Sequence, residues 1–257
     1  MLENVRMILE YPHKITGIRY ALRNPSLLFV CSKNLSKFYL SKASGKILGS
    51  NFILNLHNSL PEKFLKHLKE KNFDPDGISL MLYSIVRAFK PDAIVETGVA
   101  RGASSAFILC ALHENKRGHL YSIDLPLHET SYKIINMNGI RRCELKDGQK
   151  YSVRPDALKI GDLIPEYVKR RWTLILGDSK KELPELLERI RGIDIFFHDS
   201  LHTYEHMLFE YETAWRYVRK DGLLISHDVL WNMAFLDFSK KYGRTFTLCY
   251  SLGVIKK

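Results

Sequence analysis

Glu96-Thr97-Gly98-Val99-Ala100-Arg101-Gly102 is the stretch of this 257-residue sequence that decides its fold. The apolar run Ala93-Ile94-Val95 precedes it, and the small residues Ala103-Ser104-Ser105 follow it. This order predicts a strand, a glycine turn and the first turn of a helix. Bare backbone at Gly98 and Gly102 can bend tightly, and we expect that side chains there would fill space that a ligand needs. The stretch therefore predicts a ligand-binding loop.

Two later strands end in polar residues of the kind that bind a nucleoside. His119-Leu120-Tyr121-Ser122-Ile123 reads as a buried strand that ends at Asp124, whose carboxylate can accept both hydrogen bonds of a ribose diol. Trp172-Thr173-Leu174-Ile175-Leu176 is followed by Asp178 and Ser179, which could reach an adenine amino group. The glycines have the spacing G-x-x-x-G and lack the third glycine of the dinucleotide fingerprint. A cofactor with one nucleoside and no phosphate fits this spacing better.

Three stretches of the sequence resemble the class I S-adenosylmethionine-dependent methyltransferases. They are VETGVARGAS at 95–104, LILGDS at 174–179 and FFHDSLHTY at 196–204. Within that class they are similar to the small-molecule O-methyltransferases grouped with the cephalosporin-hydroxylase type. The resemblance covers about residues 78 to 257. It implies S-adenosylmethionine as cofactor and methyl transfer to a hydroxylated small molecule, a sugar being one example.

The same resemblance implies an α/β, Rossmann-like methyltransferase fold. Helical and strand patterns alternate after residue 93, which by itself requires a mostly parallel sheet with helices on both faces. We expect seven strands, the last two forming an antiparallel hairpin at the C-terminus. The methyltransferase domain is predicted to span residues 76–257, with an insertion at about 126–171 that we assign to substrate binding because loops of this length are usually functional. Residues 1–75 are predicted to be a basic, mostly helical extension docked on that domain.

The cofactor site is predicted from the residues above, together with Asp199 after the fourth predicted strand and Glu96, which the resemblance adds. A carboxylate at the end of the first strand commonly reaches the amino-acid end of the cofactor in similar proteins, which points to Glu96. The predicted cofactor contacts are Glu96, Gly98, Gly102, Asp124, Asp178, Ser179 and Asp199.

The chemistry is expected at the ends of the fourth and fifth predicted strands. His198-Asp199 follows one of them, His227-Asp228 follows the other, and these ends meet at one edge of a parallel sheet. In catechol-type methyltransferases, a metal-binding carboxylate follows the fourth strand. Three positions later comes the basic group that accepts the proton. Asp199 and His202 match that spacing. We therefore predict Asp199, His202 and Asp228 as catalytic residues that align and deprotonate the acceptor hydroxyl. Helix capping is the structural alternative for each carboxylate.

A metal requirement is a separate hypothesis at the same edge. The predicted ligands are Asp199, His227 and Asp228, and the predicted ion is Mg²⁺ or Mn²⁺. The catechol-type enzymes follow the second aspartate with asparagine, whereas Val229 follows Asp228 here. Histidine at position 227 is also a poorer ligand for Mg²⁺ than a carboxylate would be. The sequence therefore leaves metal dependence open.

Composition limits the remaining choices. The chain has 39 Lys and Arg against 28 Asp and Glu, and the excess lies in residues 1–75 (12 against 5) and 137–172 (9 against 5). Such basic surfaces attract an anionic acceptor, nucleic acid or an acidic membrane, or simply maintain solubility. The four cysteines are far apart and no signal-peptide pattern is present, so we expect a cytoplasmic protein. The sequence leaves the oligomeric state open.

Two further functions compete with small-molecule methylation. An RNA methyltransferase would use the basic extension, but the sequence lacks an amino-methyltransferase N/D-P-P-Y/F/W motif and a catalytic cysteine beside proline. A non-catalytic adaptor or membrane-surface protein would use the basic, partly apolar segment at 15–40. Pro25 interrupts this segment, which favours a helical pair docked on the same chain.

Overall fold

A computed structural model describes residues 58–125, 132–137, 140–145, 150–151, 160–249 and 251–257. The expectations for the basic segment at 15–40, and for most of the N-terminal extension, fall outside these residues. Within the described ranges, no helix combines the length and the apolar character needed to cross a bilayer.

A seven-stranded mixed sheet forms the centre of the molecule. Its order is β6-β2-β1-β7-β8-β10-β9; the first five strands in that order pair in parallel, and β10 pairs antiparallel with both β8 and β9. The strands are β1 (Ala93–Thr97), β2 (His119–Asp124), β6 (Trp172–Leu176), β7 (Ile193–His198), β8 (Val218–Ser226), β9 (Phe246–Cys249) and β10 (Leu252–Lys256). This arrangement confirms the predicted Rossmann-like sheet with an antiparallel C-terminal hairpin.

Helices cover both faces of this sheet. They are α1 (Glu62–Glu70), α2 (Gly77–Phe89), α3 (Ala103–Glu114), a 3₁₀ helix (Glu166–Arg171), α4 (Ser179–Ile190), α5 (Tyr204–Tyr217) and α6 (Ala234–Lys241). Helices α1 to α3 share one hydrophobic core with one face of the sheet, and α4 to α6 share a second core with the other. Successive strand residues point to opposite faces, so Ile195 and Phe197 enter the first core while Phe196 enters the second.

Helix α1 is the described part of the predicted N-terminal extension. It begins after Pro61, and its residues Phe64 and Leu68 are buried in the first core. The ring of Phe64 meets the edge of Phe107 on α3 at 5.0 Å between centroids. Burying two large apolar side chains stabilises the helix against the domain by about 3 to 5 kcal/mol.

The structure differs from the sequence-based expectation in two segments. Lys220-Asp221-Gly222 is a turn sequence by local rules, but it lies inside β8, where Asp221 has a φ of 66° and the pairing with β7 shifts register. A strand can continue through such an irregularity because its neighbours hold it on both sides. In the insertion, three strands form a small antiparallel sheet: β3 (Tyr132–Met137), β4 (Ile140–Leu145) and β5 (Lys150–Tyr151).

Candidate active site

The loop after β1 is fastened to the end of β2 by one carboxylate. Gly98, Ala100 and Gly102 all have positive φ, at 85°, 47° and 84°. Oxygen Oδ2 of Asp124 accepts hydrogen bonds from the backbone amides of Ala100 at 2.9 Å and Val99 at 3.3 Å. Asp124 therefore holds the loop in a conformation that its non-glycine residues would otherwise avoid.

The glycines are needed for a different reason from the one that we expected. A Cβ atom on Gly98 would lie 2.2 Å from the carbonyl oxygen of Asp199, and one on Gly102 would lie 2.9 Å from Gly161 and 3.0 Å from Ile164. The protein's own backbone and side chains occupy the space that a side chain at either position would enter, so packing alone requires both glycines. Contact of Gly98 and Gly102 with a cofactor stays a prediction. The amide of Asp199 also donates to the carbonyl of Thr97 at 2.8 Å. The loop and the end of β7 are therefore packed against each other.

The edge of the sheet beside Asp124 is apolar and exposed. Leu125 is 60% exposed and Leu176 is 55% exposed, and Leu176 is the register partner of Asp124 in the neighbouring strand. Burial raises the pKa of the Asp124 carboxyl, while its hydrogen bonds from the loop amides lower it. Two exposed leucines flanking a carboxylate offer an apolar surface and hydrogen-bond acceptors side by side. We did not single out either leucine from the sequence, in which both are ordinary strand-end residues.

Asp178 and Ser179 occupy the N-terminus of α4. Asp178 is the N-cap residue, and its Oδ1 accepts from the amide of Lys180 at 2.9 Å. The hydroxyl of Ser179 is buried and lies 3.1 Å from Nε2 of His206 on α5. Asp178 therefore lies at the strand edge near Leu176, whereas the side chain of Ser179 is turned into the protein.

Glu96 is a completely buried carboxylate held by three hydroxyl groups. Ser104 donates to Oε1 at 2.6 Å, and Ser105 and Ser122 donate to Oε2 at 2.6 and 2.8 Å. Burial raises the pKa of this carboxyl to about 7, although the hydroxyl hydrogen bonds oppose the shift. Glu96 therefore joins β1, β2 and the first turn of α3, the three elements that shape the loop.

We expect the buried Glu96 to make stability pH-dependent. Its folded pKa lies above the ordinary 4.5, so the folded state favours the neutral acid, and stability falls as pH rises from 4.5 to about 7. Relative to Glu96→Gln, the wild type should lose about 2 to 3 kcal/mol between pH 4.5 and pH 8. Urea unfolding of both proteins across this range measures the difference. A difference that does not change with pH would contradict the shift.

Four polar side chains meet at the ends of β7 and β8. Nδ1 of His227 lies 2.8 Å from Oδ1 of Asp199, and Nε2 of His202 lies 3.9 Å from the same oxygen. Nε2 of His227 lies 3.6 Å from Oδ1 of Asp228. The structure thus brings together the four residues that the sequence placed at this edge, which we call the rim.

The rim carboxylates do not cap the helices that follow them. The N-cap residues of α5 and α6 are Thr203 and Met233, and neither helix start has a side-chain capping hydrogen bond. Asp228 adopts a φ of 49°, which an aspartate tolerates at some cost in energy. The capping alternative is therefore not what the structure shows for Asp199 or Asp228.

The two rim imidazoles have opposite electrostatic surroundings. Burial and the nearby His198 lower the pKa of His202 to about 3, so its ring is neutral at pH 7. Burial would also lower the pKa of His227, but the hydrogen bond and charge of Asp199, with the charge of Asp228, outweigh it and raise the pKa to about 9. The rim therefore presents one neutral and one protonated imidazole.

A buried network that we did not predict lies behind the rim. Glu210 on α5 is fully buried, and its Oε2 accepts from Thr97 and from Nδ1 of His198, both at 2.6 Å. Its Oε1 is 2.8 Å from Nε2 of His206 and accepts from Ser200 at 2.9 Å. Burial alone would raise the pKa of the Glu210 carboxyl, but the hydrogen bonds and charge of His198 and His206 hold it well below its ordinary value. Only the tertiary structure brings Glu210 to His198.

A family model described as a methyltransferase domain matches residues 95–229, which include the glycine loop and the rim. No curated protein sequence matches the chain.

Solved structures show the same fold. One is the Podospora anserina methyltransferase PaMTH1 bound to SAH, which is 11% identical over 84% of this chain and 97% of that chain, with a TM-score of 0.53. Another is a candidate caffeoyl-CoA O-methyltransferase from Staphylococcus aureus, 15% identical over 82% of this chain and 99% of that chain, with a TM-score of 0.55. At these identities the likeness concerns the fold.

Proposed function

Because the chain belongs to the methyltransferase-domain family whose model covers residues 95–229, we propose that it transfers a methyl group to a hydroxyl oxygen of a small molecule. Its cofactor is S-adenosylmethionine, which supplies an electrophilic methyl group on a sulfonium sulfur. The observation that carries the proposal is that the loop, Asp124 and the rim lie along one edge of the sheet. Open α/β sheets bind ligands at this edge.

The cofactor's nucleoside is assigned to the edge formed by the ends of β1, β2 and β6. One oxygen of Asp124 holds the loop, and its carboxylate has further acceptor capacity for a ribose diol. The exposed side chains of Leu125 and Leu176 offer the apolar contact that an adenine ring needs. Asp178, at the N-cap of α4, is the polar group assigned to the adenine amino group.

The acceptor hydroxyl is assigned to the rim. Asp199, His202 and Asp228 present two carboxylates and a neutral imidazole there, and all three side chains are partly buried. Such groups hold a hydroxyl in line with the methyl donor and receive its proton. The ring of Trp231 lies 5.3 Å from that of His202, so a flat apolar surface borders the same position. A hydroxyl carried on a compact carbon skeleton fits these surroundings.

Calorimetry tests the cofactor first. We expect the purified full chain to bind S-adenosylmethionine and S-adenosylhomocysteine, and to bind NAD⁺ far more weakly because the loop lacks the third glycine of a pyrophosphate site. Absence of heat with both adenosyl ligands at millimolar concentration would overturn the proposal. A screen of hydroxylated metabolites for release of S-adenosylhomocysteine then identifies the acceptor. Methylation of RNA in place of all small molecules would favour the competing hypothesis.

A further inference from the structure

Three rim side chains direct ligand atoms toward one another. Within the described part of the chain, Asp199, His202 and His227 form a cluster in which one oxygen and two nitrogens all lie within 4.8 Å of one another. Oδ1 of Asp199 is 2.8 Å from Nδ1 of His227 and 3.9 Å from Nε2 of His202. Two ligands bonded to one transition metal at about 2.1 Å are separated by about 3.0 to 3.4 Å. The separations of the Asp199 oxygen from the two nitrogens are therefore within an ångström of coordinating values, and the two nitrogens lie within 4.8 Å of each other.

The ring of His202 is held in place by packing. The ring of His198 meets its edge at 5.1 Å, that of Trp231 lies at 5.3 Å and that of His227 at 5.9 Å. Asn232 donates to the backbone carbonyl of His202 at 3.1 Å. Despite this fixed position, Nε2 of His202 is buried and has no hydrogen-bond partner among the described residues. A buried polar atom without a partner costs free energy unless a ligand satisfies it.

The second ring nitrogen of His227 faces a carboxylate, as it does in most metal-bound imidazoles. Its Nδ1 is directed at Asp199, and its Nε2 lies 3.6 Å from Oδ1 of Asp228. A ligating histidine usually presents its second nitrogen to a carboxylate, which fixes the tautomer and the ring orientation. Asp228 is placed to do this from outside the ligand set.

We propose that Asp199, His202 and His227 form a divalent transition-metal site with one carboxylate and two imidazole ligands. This ligand set favours Zn²⁺, Fe²⁺ or Co²⁺ over Mg²⁺, which prefers oxygen. It differs from the set predicted from the sequence, because His202 replaces Asp228 as a ligand. The inference deepens the proposed function and depends on it only for the position of the acceptor. A metal at the rim supplies Lewis-acid stabilisation to a hydroxyl oxygen.

The assignment changes the roles of two residues. With its free nitrogen given to a metal, His202 cannot also receive the proton of the acceptor. Asp228 is the remaining rim carboxylate, so the proton-accepting role passes to it.

Cobalt binding tests the site directly, without an acceptor. The full chain is treated with EDTA, dialysed and titrated with Co²⁺, whose visible d–d absorption reports imidazole and carboxylate ligation. We expect one equivalent to bind, Zn²⁺ to displace it and millimolar Mg²⁺ to leave the spectrum unchanged. Absence of a Co²⁺ spectrum, or displacement by Mg²⁺, would overturn the proposal.

Variants identify the ligands. His202→Ala and His202→Gln should each weaken Co²⁺ binding more than about 100-fold, whereas Asp228→Asn should weaken it by about 10-fold or less. His67→Ala, which removes a partly buried imidazole on α1 that contacts the carbonyl of Leu163, is the matched control and should bind Co²⁺ normally. Unchanged Co²⁺ affinity in a folded His202→Gln protein, checked by circular dichroism, would refute the site. A strong loss of Co²⁺ binding in Asp228→Asn, together with unchanged binding in His202→Gln, would support the ligand set predicted from the sequence instead.

Cofactor binding separates this inference from the proposed function. The His202 variants should retain the wild-type affinity for S-adenosylhomocysteine within about threefold, because His202 lies at the rim and the nucleoside is assigned to the edge beside Asp124. If the wild-type chain bound S-adenosylhomocysteine but did not bind Co²⁺, the metal site alone would be refuted. If it bound Co²⁺ but did not bind S-adenosylhomocysteine, the proposed function alone would be refuted.

Discussion

Replacing Gly98 with alanine is expected to lower the free energy of unfolding by about 3 to 5 kcal/mol. The φ of 85° is costly for any residue with a Cβ atom, and that atom would lie 2.2 Å from the carbonyl oxygen of Asp199 and 2.6 Å from its carbonyl carbon. Both atoms belong to the backbone, so no side-chain rotation relieves the contact. The loop after β1 or the end of β7 must move, and the latter carries the rim. Urea unfolding followed by circular dichroism measures the loss.

Gly243→Ala is the matched control for this prediction. Gly243 also has a positive φ, at 57°, but a Cβ atom there would have nothing within 4 Å. Gly243→Ala should lower the free energy of unfolding by about 1 kcal/mol, which is the conformational strain of an alanine at positive φ. If the two variants lost equal stability, the contact with Asp199 would not be the reason for the glycine at position 98. If Gly98→Ala failed to fold while Gly243→Ala folded normally, the prediction would hold at its upper limit.

Removing the Asp124 carboxylate should weaken binding of S-adenosylhomocysteine by at least about 100-fold. Hydrogen bonds to a charged group are worth about 1.5 to 3 kcal/mol each, and a ribose diol forms two. Asp124→Ala also removes the acceptor for the amides of Val99 and Ala100, so the loop itself loses support. Titration calorimetry with the full chain measures the affinity, and a thermal melt measures the loss of loop support separately.

Two further substitutions show what the Asp124 result means. Asp124→Asn retains an oxygen for the loop amides but loses the charge and one acceptor, so we expect an intermediate loss of about tenfold. Asp221→Ala removes an exposed carboxylate that pairs with Lys256 in the first half of β8, away from the rim at the strand's C-terminal end, and the variant should bind normally. Wild-type affinity in a folded Asp124→Ala protein would mean that the nucleoside lies elsewhere.

Much of the fold was predictable because local sequence patterns specify its helices and strands. The apolar stripe of α2 and the buried strands β1, β2 and β7 each follow from residue spacing, and their alternation requires a parallel sheet. The long β8 was not predictable, since Lys220-Asp221-Gly222 is a turn sequence by local rules. In the structure these residues form the irregularity between Val218 and Leu223, and β8 pairs with β7 both before and after them.

The sequence predicted which residues lie at the candidate site better than it predicted which of them contact each other. Strand ends of a parallel sheet meet at one edge, so Asp199, His202, His227 and Asp228 could be assigned to the rim from their places in the sequence. Which of them approach each other depends on side-chain directions that have no period in the sequence. Glu210 shows the same limit, because a glutamate in the middle of a helix gives no local sign that it will be fully buried beside His198.

By itself, the sequence determined the order of the strands and helices around the central sheet, the glycine loop after β1 and the edge at which the polar residues collect. These follow from backbone preferences and apolar periodicity, which act over a few residues. The tertiary structure alone decided why Gly98 must be glycine, that Glu96 is buried among three hydroxyls, and that His202 joins Asp199 and His227. Each of these arrangements includes a contact between separate elements of the fold: Gly98 with Asp199, Glu96 with Ser122, and His202 with His227. Such contacts exist only once both cores have packed.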